Sequence, residues 1–164
     1  MRQSAPANAE QIGSELTKRP PLVSWRQLLT ISSDKAHDAA LLVLRVTFGV
    51  ALALAHGYGK AVSPERFLQG LTTRGFPLPG LFGWAAIASE LLGGLLLALG
   101  LLTRPAAALV LITLSVAAFD IHAADPFAKR ELALAYVSVA LAILIAGPGR
   151  FSLDRRLAGA QARL

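Results

Sequence analysis

The sequence predicts an all-α membrane protein: an antiparallel four-helix transmembrane bundle with a polar N-terminal extension and a short C-terminal tail. Three observations predict it. Hydrophobic residues make up 54% of the 164 positions and the mean hydropathy is +0.55, above the roughly 45–50% apolar share of an ordinary soluble domain. The apolar residues fall into four long runs separated by short segments rich in proline and glycine. The central run, Leu81–Leu102, holds 22 residues with one charge, Glu90, near its middle. As a helix it would be roughly 33 Å long, enough to cross the hydrocarbon core of a bilayer.

Charge and cysteine content exclude several classes. The formal net charge is +6, but the basic residues lie mainly outside the apolar runs and are not interleaved with aromatics. They read as determinants of membrane topology, and no nucleic-acid partner is expected. There is no cysteine, which excludes a disulfide, a thiolate nucleophile and a cysteine-ligated metal or iron–sulfur site within this chain.

The chain divides into residues 1–35, a polar or interfacial N-terminal segment; 36–149, the helical domain; and 150–164, a basic C-terminal tail. The first segment carries Pro6, Pro20 and Pro21 and lacks the apolar core and cleavage site of a signal peptide, so it is expected in the mature protein. Leu22, Val23, Trp25, Leu28, Leu29 and Ile31 suit a short interfacial helix. Ser32, Ser33 or Asp34 then caps the first long helix, expected over about Lys35 to Gly59. The second is the central run, launched after Gly75-Phe76-Pro77-Leu78-Pro79-Gly80 and stopped by Thr103-Arg104-Pro105. The third is expected from about Pro105 to Ala124, ending at Asp125-Pro126. The fourth, about Glu131 to Ala146, is short for a span unless Phe127–Arg130 extend it, and it ends at Gly147-Pro148-Gly149. Ser152-Leu153-Asp154 has the composition of a cap for a polar C-terminal helix. Four spans place both termini on one side, where ten basic residues lie outside the spans against five on the other. That excess puts the termini in the cytoplasm.

Polar residues within the spans are the candidates for chemistry. An ionised carboxylate at the depth of Glu90 costs at least ~2.5 kcal/mol unless protonated, paired or wetted. Arg45, Gly49, Leu52 and His56 form one stripe of the first helix. Gly83, Ala86, Glu90, Gly93 or Gly94, and Leu97 form one on the second, where small residues permit close approach. Antiparallel packing brings Arg45 within about a turn of Glu90, so Arg45–Glu90 is the expected partnership. Asp120 and His122 on the third helix point in nearly opposite directions. Glu131 shares a stripe of the fourth with Ala135, Ser138 and Ala142, with Tyr136 to the side. His56, Lys60, Asp120, His122 and Glu131 fall near the membrane face opposite the termini, forming an outer polar vestibule above a buried ion pair. Lys60, Lys129 and Glu131 also suit ordinary helix-end positions. His56, His122, Asp120 and Glu131 are suitable ligand types, but no compact spacing supports a metal, and none is assigned.

Read together, these residues resemble the DoxX family of small four-helix bacterial membrane proteins, over about Leu41 to Asp154. The resemblance rests on Arg45; His56-Gly57-Tyr58-Gly59-Lys60; Gly75-Phe76-Pro77; Glu90 with Gly93-Gly94; Gly100-Leu101-Leu102-Thr103-Arg104; and His122. It continues through Glu131-Leu132-Ala133-Leu134-Ala135-Tyr136 and Gly147-Pro148-Gly149-Arg150 to Ser152-Leu153-Asp154. It implies a multi-pass protein of the bacterial inner (plasma) membrane, and relatives among the membrane subunits of thiosulfate:quinone oxidoreductase. The implied function is a membrane subunit of a quinone-linked redox or oxidative-stress complex, working with soluble redox partner proteins. On that reading Glu90 and Arg45 handle the proton or developing anion and His56 acts beside them. His56, Tyr136, Asp120, His122 and Glu131 would surround the quinone head group. The alternatives are a non-catalytic scaffold that anchors soluble redox enzymes through its basic tails, and a small-molecule transporter, which would require a homo-oligomer.

Overall fold

The computed structural model describes residues 34–161, and every regular element among them is helical. Six helices follow in order: α1 Asp34–Val62, α2 Pro64–Thr73, α3 Pro79–Leu99, α4 Thr103–Ile121, α5 Phe127–Ala146 and α6 Leu153–Gln161. Three of them, α1, α3 and α4, are long and apolar enough to cross a membrane. Helix α5 has 20 residues, but Lys129, Arg130 and Glu131 in its first turns set it apart from those three. The expected interfacial helix at Leu22–Ile31 and the caps Ser32 and Ser33 lie outside the described residues.

Several boundaries differ from expectation for local reasons. Helix α1 runs beyond Gly59 to Val62, because Gly59 keeps right-handed helical geometry. Helix α3 stops at Leu99: Gly100 turns left-handed at φ 68° and Leu102 follows at φ 48°, so the apolar run outlasts the helix. Helix α4 starts at Thr103 rather than Pro105, with the proline in its first turn, where a missing N–H costs nothing. Helix α5 takes in Phe127–Arg130. The segment 64–73 is helical although it is not expected to be; Pro64 starts it, and Leu68 and Leu71 pack over Gly83 of α3.

Two glycines set the spacing of α1 and α3. A Cβ on Gly49 would overlap the Gly94 carbonyl oxygen and Ala98 amide, and one on Gly94 would crowd the Gly49 carbonyl and Ala53. The backbones therefore touch, as small residues at helix interfaces in lipid allow. Further along, Gly57 meets Leu91 and Lys60 meets Glu90. Phe48, Leu52 and Leu97 form the core with Ala107, Val110 and Ile143, the last from α5 packed beside α4.

Three helices carry a π-helical turn: Leu52–Tyr58 in α1, Ser89–Gly93 in α3 and Ala117–Ile121 in α4. Such turns insert a residue into the helical repeat and rotate the next stretch of helix about its axis, and they concentrate at functional sites. The turns of α1 and α3 pack against each other, and that of α3 packs on α4.

Candidate functional site

The π turn of α3 holds Glu90, which is 2% exposed. Both its carboxylate oxygens accept hydrogen bonds from Lys60 Nζ, at 2.5 and 2.6 Å. The same ammonium sits 4.7 Å from the centre of the Phe67 ring, a cation–π contact. Lys60 reaches Glu90 because it lies two residues past the π turn of α1, opposite the start of the turn in α3.

The expected Arg45–Glu90 pair is not formed. The guanidinium of Arg45 is 1% exposed and donates to two carbonyls, Phe151 at 3.0 Å and Leu97 at 3.4 Å. Leu97 is seven residues beyond Glu90, about 10 Å of helix rise. The contact of Gly49 with Gly94 and Ala98 sets this register, which leaves Arg45 at the far end of α3. There a second polar cluster assembles. Asp154 Oδ1 and Oδ2 accept the Leu102 and Thr103 N–H groups at 2.7 and 2.9 Å, capping α4 from the first turn of α6. Burial alone would raise the Asp154 carboxyl, but the hydrogen bonds from Thr103 and Leu102, helped by Arg45, outweigh it and hold it below the usual carboxylate range. Ser152 Oγ accepts the Arg155 N–H at 3.2 Å, so Ser152 does cap α6. Asp38 of α1 accepts the Arg150 N–H at 2.8 Å.

The Lys60–Glu90 pair lines a cleft of about 1090 Å³ walled by α2, α3 and α4. Its sides are apolar, including Phe82, Leu92 and Leu96 of α3 and Leu109, Ile112 and Val116 of α4. Leu92, Leu109 and Ile112 stand on the outer surface, so in a bilayer the cleft opens sideways toward lipid. Arg66, Arg74 and His122 also line it. Ser89, 7% exposed, stands in the wall beside Glu90, and its hydroxyl has no hydrogen-bond partner.

The other expected site residues are distributed differently. His122 lines the cleft and its Nδ1 is 2.7 Å from Asp125 Oδ2. That hydrogen bond, despite some desolvation and with help from Lys129, keeps the Asp125 carboxyl below its ordinary value. Asp120 lines a smaller neighbouring cavity of about 220 Å³ together with Arg74. His56 packs edge-on against Tyr136, with ring centres 5.6 Å apart, and Tyr136 packs likewise on Phe48 at 5.2 Å. Neither His56 nor Tyr136 lines the cleft, nor does the exposed Glu131. The single vestibule is thus three groups: the cleft, the Asp120 cavity and the His56–Tyr136 contact. Sequence reasoning passed over Ser89 and undervalued Lys60. Lys60 lies four residues beyond His56, the continuation of the Arg45 stripe, and that spacing was the available signal.

The described residues define a small helical membrane protein whose buried Lys60–Glu90 pair lines an apolar groove. The chain belongs to the DoxX family, whose model matches residues 40–123. It is similar to the inner membrane protein YphA of Escherichia coli (strain K12), with 32% identity over 130 residues, 74% of this chain and 92% of that protein. No solved structure matches.

Proposed function

We propose that this DoxX-family protein is an inner-membrane subunit of a quinone-linked redox complex, and that the cleft between α3 and α4 is its quinone site. One observation carries the reading: an apolar groove open to the lipid side has the buried Lys60–Glu90 pair in its wall. An isoprenoid quinone has the matching shape, a long apolar tail and a polar head. Location in the bacterial inner membrane follows the naming of YphA. Four spans, α1, α3, α4 and α5, run antiparallel with both termini in the cytoplasm. The opposed order of the contacts Arg45–Leu97, Gly49–Gly94, Gly57–Leu91 and Lys60–Glu90 supports that arrangement for α1 and α3.

A bound quinone supplies redox chemistry, its electrons exchanged with a soluble partner protein. The residues of this chain bind it and manage a proton. Glu90 Oε1 and Oε2 are the atoms that hold a proton beside the head group, with Lys60 Nζ orienting them. The apolar walls exclude water. Arg45 acts by holding α1, the end of α3 and the turn before α6 together. His56 and Tyr136 stand outside this site. Extraction of the protein with its lipid into native nanodiscs tests the reading. Isoprenoid quinone should be enriched over its ratio in the bulk membrane, and the enrichment should fall in Ile112→Trp, which fills the groove. A ratio equal to that of the bulk membrane contradicts it.

The scaffold reading has one observation in its favour: α6 presents Arg155 and Arg156 outward, a surface suited to an acidic partner or anionic lipid. Deleting residues from 155 onward separates the two, because a scaffold loses its function while the quinone site survives.

A further inference from the structure

Helix α2 puts two arginines into the wall of the cleft. Arg66, Gly70 and Arg74 all line it, and a spacing of four residues places them on one face of the helix. Arg74 is the C-cap residue and keeps right-handed geometry, so its Cα lies about 12 Å along the axis from that of Arg66. Gly70 leaves a gap between them: a Cβ built there meets nothing within 4 Å. Both arginines are exposed, and among the described residues neither forms an ion pair. Asp120 shares the smaller cavity with Arg74, and Asp125 feels the charge of Arg74, but neither carboxylate closes on the guanidinium within ion-pair distance.

The wall is therefore charged as well as apolar. Lys60, Arg66 and Arg74 stand against Glu90 alone, an excess of two positive charges with His122 neutral, and Lys60 is already committed to Glu90. A guanidinium presents a planar fork of N–H donors that fits phosphate oxygens, and two long side chains flanking a gap can converge on one such group. Phe76 and Phe82, edge-on with ring centres 6.0 Å apart, continue the wall as a surface for hydrocarbon. Access is lateral, past Leu92, Leu109 and Ile112 on the lipid-facing surface. A ligand that comes to these arginines from the bilayer brings an acyl chain together with an anionic head.

We propose that the α2 face of the cleft binds an anionic phospholipid, its phosphate held between Arg66 and Arg74 over Gly70 and an acyl chain laid on the apolar wall. Basic pockets beside membrane helices recognise lipid head groups through the same chemistry. The inference does not rest on the quinone reading, and it uses polar groups that reading leaves unassigned.

The test titrates the full chain in detergent with dioleoyl-phosphatidylglycerol or dioleoyl-phosphatidylcholine, which carry the same chains, and counts bound lipid by native mass spectrometry. Each arginine should contribute about fivefold, so the wild type should prefer phosphatidylglycerol by about 25-fold. Arg66→Gln/Arg74→Gln should bring the two lipids near parity. Arg155→Gln/Arg156→Gln removes as much charge from α6 and should keep the preference. Gly70→Leu retains every charge but fills the gap, and it should weaken phosphatidylglycerol about fivefold without lowering the unfolding midpoint; it carries the test if the double arginine variant fails to fold. Inorganic phosphate should leave the bound lipid in place. Equal affinity of the wild type for the two lipids overturns the proposal, as does a preference that survives in the α2 variant and is lost in the α6 variant. Undiminished binding by Gly70→Leu overturns the seat over Gly70, and displacement by inorganic phosphate overturns the lipid in favour of a soluble anion. No quinone enters the measurement, so each of these outcomes leaves the quinone site standing.

Discussion

Lys60 and Glu90 depend on each other more than either depends on its helix. Removing Lys60 leaves a carboxylate with 3% side-chain exposure unmatched. Lys60→Met should therefore cost about 2–3 kcal/mol, short of the full range for buried pairs because Lys60 is partly open to solvent. The double variant Lys60→Met/Glu90→Gln should recover most of that loss, a coupling readable from thermal unfolding in detergent. Arg45→Met and Glu90→Gln, in contrast, should add, because the two side chains sit about 10 Å apart along α3. Recovery in that second double variant would contradict the register. The need of Glu90 for a partner was legible in the sequence from its depth in an apolar run. The identity of the partner was not. It depends on where Gly49 and Gly94 meet and on the π turns, and a regular 3.6-residue repeat anticipates neither.

At the scale of the elements, the long helices were legible in type and order, but their ends and the short helix α2 were not. Gly100 and Leu102 leave right-handed geometry within an unbroken apolar run, so hydropathy carries no mark of the boundary. Helix α2 hides in a polar stretch whose few apolar residues cover Gly83. Gly49→Ala should destabilise by about 1–3 kcal/mol, since its methyl meets backbone on α3 rather than a side chain able to yield; denaturation in detergent checks this. The Asp154 cap makes a separate prediction. Asp154→Ala should cost about 1 kcal/mol through loss of the acceptor for Leu102 and Thr103. The Asp154 carboxyl is held below its ordinary value, so its contribution is complete above about pH 4 and is lost as acid titrates it through the lowered value. Unfolding midpoints between neutral and acid pH should fall more steeply for the wild type than for Asp154→Asn; parallel curves would contradict the cap.

For the whole molecule, composition and the spacing of the apolar runs were enough to read a helical membrane protein, and the order of the short motifs from Arg45 to Asp154 carried the resemblance to the DoxX family. The site needed three dimensions. Residues of α1, α3 and α4 meet at the cleft, while His56, adjacent in sequence to Gly57 and close to Lys60, ends on a different surface against Tyr136. The topology is open to direct measurement because the native chain has no cysteine. Single cysteines at Ser63, between α1 and α2, and Gly159, in open space on α6, should react with an impermeant thiol reagent from opposite sides of intact membranes. Labelling of both from one side would contradict an even number of spans. The central claim, that a quinone lies in the α3–α4 cleft, is tested most directly by photocrosslinking. A tail-labelled azidoquinone irradiated with the protein in membranes, followed by peptide mass spectrometry, should mark Leu92 on α3 and Leu109 or Ile112 on α4. Labelling confined to the Phe48–His56–Tyr136 surface would contradict it.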